Sequence, residues 1–272
     1  SSVSAIGCFA LLACLTASPC KSETPVSEVP VNHGEDITDP LDRFDLRMQF
    51  KSLPDDVLGG RTFDDLSDET ITLRTDFLLF PKPNQLALRF DLPLIWSNKP
   101  NDRNPDGSTE FGMGDLLAQA IYVREFDKRW AGAAGLRGVL PSATGEAFGD
   151  GKWQLVPTVA VRARIPELTD GSYVGLIVRQ FSSVGGQSSR KDISCFQFEP
   201  QLDISLPNQW FLNFSPKTNF NLMTDEWFVP LDIMLGKKFG LHWVASLEYQ
   251  YGLVRDDDSY NQWLEARVGY LF

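Results

Sequence analysis

The chain has 272 residues, a formal charge of -11, a mean hydropathy of -0.17, and is 43% hydrophobic and 12% aromatic. Near-neutral hydropathy excludes a bundle of membrane helices, and the acidic balance argues against a nucleic-acid partner, which needs clustered Lys and Arg. High aromatic content at neutral hydropathy suits a membrane β-barrel, where lipid-facing residues are dispersed by alternation and aromatic girdles add Trp, Tyr and Phe.

The longest apolar run, Ala5 to Ala17, spans about thirteen residues against the roughly twenty of a membrane helix, and reads as a signal-peptide core. Residues 1–18 are therefore expected to be a signal peptide or a lipoprotein leader. Leu11-Leu12-Ala13-Cys14 resembles a lipobox, which makes Cys14 a possible lipidation site; cleavage near Thr16-Ala17-Ser18 is the alternative. Residues 19–40, rich in Pro, Ser, Thr and Glu, are expected to be a flexible periplasmic segment, and His33 falls inside it. With Cys195 alone in the remainder, no disulfide framework follows.

From residue 41 to 272 the pattern has period two. In Phe44 to Phe50 the even positions are apolar and the odd ones polar, which separates the two classes onto opposite faces of a strand. Phe196 to Leu206, Trp210 to Phe214, Leu241 to Tyr251 and Leu264 to Phe272 repeat it. Connections alternate in length. Long ones lie near Ser52–Glu69, Ser97–Phe111, Pro141–Gly151, Ser182–Asp192, Met223–Glu226 and Arg255–Asn261; short ones lie at Pro81–Asn84, Phe126–Lys128, Glu167–Gly171, Pro207–Gln209 and Lys238–Gly240. Alternation of this kind, with both termini periplasmic, predicts an all-β, transmembrane antiparallel up-and-down barrel of about 12 strands. Asp55, Asp56, Asp64, Asp65, Asp68 and Glu69 fall in one long loop and read as solvated surface, because no calcium-loop spacing accompanies them.

Hairpin register places charges opposite one another on the polar face. Closing Pro81–Asn84 sets Arg74 opposite Asp91 and Asp76 opposite Arg89; closing Pro207–Gln209 sets Glu199 opposite Lys217 and Leu202 opposite Phe214. The expected lumen lining, a pore in the making, is Arg74, Asp76, Arg89, Asp91, Arg137, Arg162, Arg164, Glu199, Asp203, Lys217, Glu248, Glu265 and Arg267, with the Arg137, Arg162 and Arg164 cations in excess of nearby acids. Trp130, Trp153, Trp210, Trp227 and Trp243 are candidate girdle residues.

Catalytic and cofactor motifs are weak. Gly145 to Trp153 departs from a phosphate loop, with Asp150 at the second Gly position and Trp153 in place of the hydroxyl, and Gly112-x-Gly114 lacks its third Gly. His33 and His242 are the two histidines; His242 and Ser246, four apart on one expected strand, are too distant for a Ser–His pair. No catalytic residue, metal or cofactor is expected.

Several stretches resemble the outer-membrane proteins named for the meta-pathway of phenol degradation. They are Phe111-Gly112-Met113-Gly114-Asp115, Leu140-Pro141-Ser142-Ala143-Thr144-Gly145, Phe148-Gly149-Asp150-Gly151-Lys152-Trp153-Gln154-Leu155-Val156-Pro157, Phe198-Glu199-Pro200, Trp227-Phe228-Val229-Pro230-Leu231, Gly236-Lys237-Lys238-Phe239 and the final Tyr270-Leu271-Phe272. The resemblance implies a transporter-like barrel of a Gram-negative outer membrane that admits small solutes, aromatic or hydrophobic ones among them. Similarity to such barrels also implies that Phe272 is an assembly signal read by the barrel-assembly machinery. Outer-membrane lipid, lipopolysaccharide and a small-molecule solute are the expected partners. A structural or adhesive barrel with a closed lumen, and an outer-membrane lipid-modifying enzyme, are the alternatives.

Overall fold

The computed structural model describes residues 32–256 and 259–272. The leader, Cys14 and most of the expected flexible segment lie outside them. Twelve antiparallel strands follow one another around a closed wall. They are β1 (Arg43–Ser52), β2 (Ser67–Leu78), β3 (Asn84–Ser97), β4 (Glu110–Met113 continued by Leu116–Glu125), β5 (Trp130–Leu140) and β6 (Lys152–Arg164). Then come β7 (Tyr173–Gly186), β8 (Ser194–Leu206), β9 (Trp210–Phe214 continued by Thr218–Asn221), β10 (Glu226–Phe239), β11 (Trp243–Arg255) and β12 (Gln262–Leu271). Each strand pairs with its sequence neighbours, and β12 returns to β1 with Phe44 opposite Tyr270. Closure leaves no unpaired edge, the condition for crossing a bilayer with strands.

The predicted connections are found, some shortened at their ends: β2 starts at Ser67, which puts Asp68 and Glu69 on the strand rather than in the loop, and β7 runs on to Gly186, so that loop begins later than Ser182. Two strands are interrupted for visible reasons. In β9, Pro216 has no backbone N–H for the ladder, and Ser215 to Lys217 drop out of pairing. In β4 the break falls at Gly114 and Asp115: Gly114 N–H still donates to Pro93 O at 2.9 Å, and the Asp115 carboxylate accepts from the backbone of the loop 141–151.

The distribution of side chains is inverted relative to a soluble sandwich. On β1 the charged Arg43 and Asp45 are 0% exposed whereas the intervening Phe44 is 44% exposed. The same holds around the wall: Phe77, Phe90, Leu136, Val159, Leu176, Leu235, Leu247 and Leu264 face outward, while Asp76, Gln119, Thr158, Arg162, Glu199, Asp232 and Glu265 are buried within. Trp130, Trp210 and Trp243 stand outward at the short-turn end, and Trp153 and Trp227 outward at the long-loop end, two girdles bracketing an apolar belt. Slipping one strand by one residue carries its charges into lipid, at about 2–4 kcal/mol for each Lys or Arg near the midplane. That cost fixes the register.

Candidate functional site

The predicted hairpin pairs are present. Arg74 lies opposite Asp91 and donates two hydrogen bonds to it, at 2.8 and 2.6 Å. Arg89 lies opposite Asp76 and does the same at 2.8 and 2.8 Å. Leu202 meets Phe214 as expected. The expected Glu199–Lys217 contact is replaced: Lys217 sits in the gap of β9 and binds Glu248 at 2.9 Å, with Asp232 at 3.6 Å, while Glu199 accepts from Arg179 at 2.5 Å. Freed from the ladder by Pro216, Lys217 reaches β10 and β11 instead of its β8 neighbour.

Residues 32–40 are not a free periplasmic tether. They enter the lumen at the short-turn end and fill it, forming a plug made rigid by its own polar groups. Asn32 Oδ1 accepts from Gly34 N at 2.9 Å, and Asp36 Oδ1 accepts from the backbone N and hydroxyl of Thr38 at 2.8 and 2.7 Å. Gly34 turns the chain with φ +85°, and a Cβ there would lie 2.8 Å from Arg43 Nη1. Ile37 packs onto an apolar patch of the inner wall made by Ile121, Val123, Ala133 and Ile177. Its burial contributes about 1.5–3 kcal/mol to docking.

Charge does the rest. One carboxylate oxygen of Glu35 accepts from Arg47 at 2.6 Å and from Arg267, with Arg43 at 3.5 Å. Burial alone would raise the Glu35 carboxyl; Arg47, Arg267 and Arg43 outweigh it and hold the pKa well below its ordinary value of 4.5. Asp36 binds Arg162 at 2.7 Å, and Asp39 binds Arg164 at 3.2 Å and Lys82 at 2.6 Å. His33 lies flat on Phe211 at a centroid distance of 3.7 Å, with Nε2 2.9 Å from Asp203. The expectation that Arg162 and Arg164 outnumber nearby acids therefore fails, because the plug brings the acids. Arg137 has no carboxylate partner among the described residues and donates to Gln119 at 3.0 Å. Glu265 and Arg267, the last of the expected lining, belong to the Arg47 and Asp45 network, at 2.8 and 3.0 Å.

The long-loop half is different. A cavity of about 790 Å³ opens there, lined among others by Lys51, Asp68, Val139, Phe148 and Asp150. Its rim is the loop 141–151, which folds inward. Asp115 accepts from Ala143 N at 3.0 Å and Asp150 N at 2.9 Å, and Ser142 Oγ accepts from Leu116 N at 2.9 Å. Phe148 lies so close over Gly112 that a Cβ there would be 2.3 Å from its ring. The quoted stretches around Gly112, Ser142 and Gly149 are thus a single latch, which gives them a physical role. Trp263, absent from the expected lining, also faces the lumen, with Lys217 4.9 Å and Lys51 5.6 Å from its ring centroid.

His242 lies in the turn before β11 rather than on the strand, its Nδ1 2.7 Å from Leu271 O. Phe272 is exposed beside Tyr270, and its N–H donates to Asp42 O at 3.0 Å. No cluster of metal-ligating side chains occurs among the described residues.

The apolar belt, the two girdles and the charged interior define the class: the chain is a twelve-stranded outer-membrane β-barrel. No protein-family model and no curated protein matches it in sequence. Among solved structures it is similar to an outer membrane channel from Pseudomonas putida F1, with a TM-score of 0.65 at 15% identity over 89% of this chain and 100% of that one. The KdgM porin (TM-score 0.53, 13% identity, 85% and 99% covered) and the NanC porin (0.54, 12%, 84% and 98%) share the architecture. At these identities the likeness is one of fold.

Proposed function

We propose that this chain is an outer-membrane channel for small solutes, closed at its short-turn end by its own residues 32–40. One observation carries the reading: the obstruction is a separate segment held by ion pairs and one apolar anchor, not strand side chains packed across the barrel. An element of that kind is removable without unfolding the wall, and a cavity already opens above it. The cargo class follows from the lining. A charged interior of twelve strands suits small polar or anionic solutes, and the resemblance to the meta-pathway proteins, together with Trp263 between two lysines, supports carboxylated aromatics among them. Purified full chain in planar bilayers is expected to give discrete, infrequent conductance steps, and proteoliposomes to admit benzoate faster than a disaccharide. A bilayer silent under all voltages, with liposomes impermeable to both, contradicts the proposal and favours a structural barrel, the reading that the dense ion pairing of the plug supports in second place.

A further inference from the structure

The plug is acidic and its socket is basic. In the short-turn half, five guanidiniums, those of Arg43, Arg47, Arg74, Arg89 and Arg267, face four wall carboxylates, Asp45, Asp76, Asp91 and Glu265. Glu35 supplies the fifth negative charge. Across the lumen, Arg162, Arg164 and Lys82 face one wall carboxylate, Glu125, and the plug residues Asp36 and Asp39 supply the two that are missing. Among these groups the wall holds eight cations against five carboxylates, and the three carboxylates of the plug match the difference; Asp203, a further wall carboxylate, faces His33 of the plug instead, and Arg137 pairs with Gln119.

The guanidiniums also retain unused donors. Nη2 of Arg43, Nε of Arg47 and Arg267, and Nε and Nη2 of Arg162 are buried without an acceptor among the described residues. Buried cations stripped of their partners are strongly disfavoured, and guanidinium forks match carboxylates in geometry. When the plug leaves, an anion takes its place. A cleft of about 100 Å³ beside Asp36, Asp39, Arg162 and Arg164 gives access from the short-turn side.

We infer that the socket is a binding site for small solutes bearing two or three carboxylates, which compete with Glu35, Asp36 and Asp39 for the same guanidiniums. The plug is then the channel's built-in competitor, and solute and plug displace one another. This inference rests on the channel reading above.

The test measures binding and conduction separately. Benzene-1,3,5-tricarboxylate is titrated calorimetrically into the detergent-solubilised full chain, its E35Q/D36N/D39N variant and a chain lacking residues 32–40, with benzene-1,3,5-trimethanol as the uncharged control. Each protein is first shown to be folded by its heat-modifiable gel mobility. Both altered proteins should bind the tricarboxylate, the parent at least about tenfold more weakly because the docked plug must first yield. Adding R162Q/R164Q to the triple variant should weaken binding again by about tenfold or more. In bilayers the triple variant should prefer anions and be blocked by the tricarboxylate. Folded variants that bind it no better than the parent, or that bind the triol equally, overturn the inference even if they conduct. Silence of every form in bilayers overturns the channel reading, while the calorimetry still decides the socket.

Discussion

The two ends of the lumen are narrowed by different means. At the short-turn end a segment from outside the sheet is inserted and neutralised by arginines, whereas at the long-loop end a loop of the wall itself, 141–151, bends inward and is latched by Asp115. The first depends on long-range charge pairing between residues far apart in sequence, the second on backbone hydrogen bonds to one carboxylate. The plugged end is therefore sensitive to charge and pH, and the latched loop to steric fit at Gly112 and Gly149. A barrel built this way has one releasable obstruction and one narrowed but open end.

Asp45 should mark the difference most strongly. It binds Arg267 at 3.0 Å, Arg47 at 3.1 Å and Arg43 at 3.3 Å while fully buried, so Asp45→Ala takes a shared carboxylate from three buried guanidiniums and leaves them only Glu35, Asp76 and Glu265. A loss of about 3–5 kcal/mol is expected, read as a lower denaturant midpoint in detergent. At the other end, Asp115→Ala removes two hydrogen bonds that loop backbone N–H groups donate to its carboxylate, and about 1–3 kcal/mol of local stability. Protease nicking between residues 141 and 151 should rise while the barrel midpoint stays close to that of the parent.

Acidification should separate the halves further. The docked Glu35 carboxyl is held below its ordinary value by Arg47, Arg267 and Arg43, so the docking it contributes is complete above about pH 4.5 and is lost as pH falls toward the lowered value. Open events should become more frequent below pH 4.5 in the parent, and Glu35→Gln should remove that component of the pH response. The smallest effect is expected outside both the plug and the latch. Arg129 and Glu167 pair at 2.9 Å across two short turns but are 50% and 66% exposed, and Arg129→Ala should leave midpoint and conductance unchanged.

The wall was legible in the sequence because period two, turn chemistry and charge pairing all agree there. Arg74 with Asp91 and Asp76 with Arg89 follow from counting outward from one turn. The plug was hidden by composition. Asn32 to Pro40 has few apolar residues, and its single anchor, Ile37, needs a patch assembled from β4, β5 and β7. The available signal was an imbalance: Arg162 and Arg164 had no acids on neighbouring strands, while Glu35, Asp36 and Asp39 clustered just ahead of β1 with only Arg43 and Arg47 close behind them. Lys217 was misassigned for a local reason, since Pro216 breaks the strand at the residue whose partner was being inferred. Trp263 was overlooked because the girdle argument looks for tryptophans facing lipid, and this one faces the lumen between Lys51 and Lys217.

The difference between the two ends reduces to one claim, that residues 32–40 are what closes the barrel. Single-channel recording of the full chain beside a chain lacking those residues, at the same protein density and voltage, tests it most directly. The account predicts that the shortened chain dwells in a conducting state at least about tenfold more of the time, the shift expected when a docked state favoured by more than about 1.4 kcal/mol is removed. Equal open fractions and equal conductance in the two proteins, both correctly folded, would contradict it.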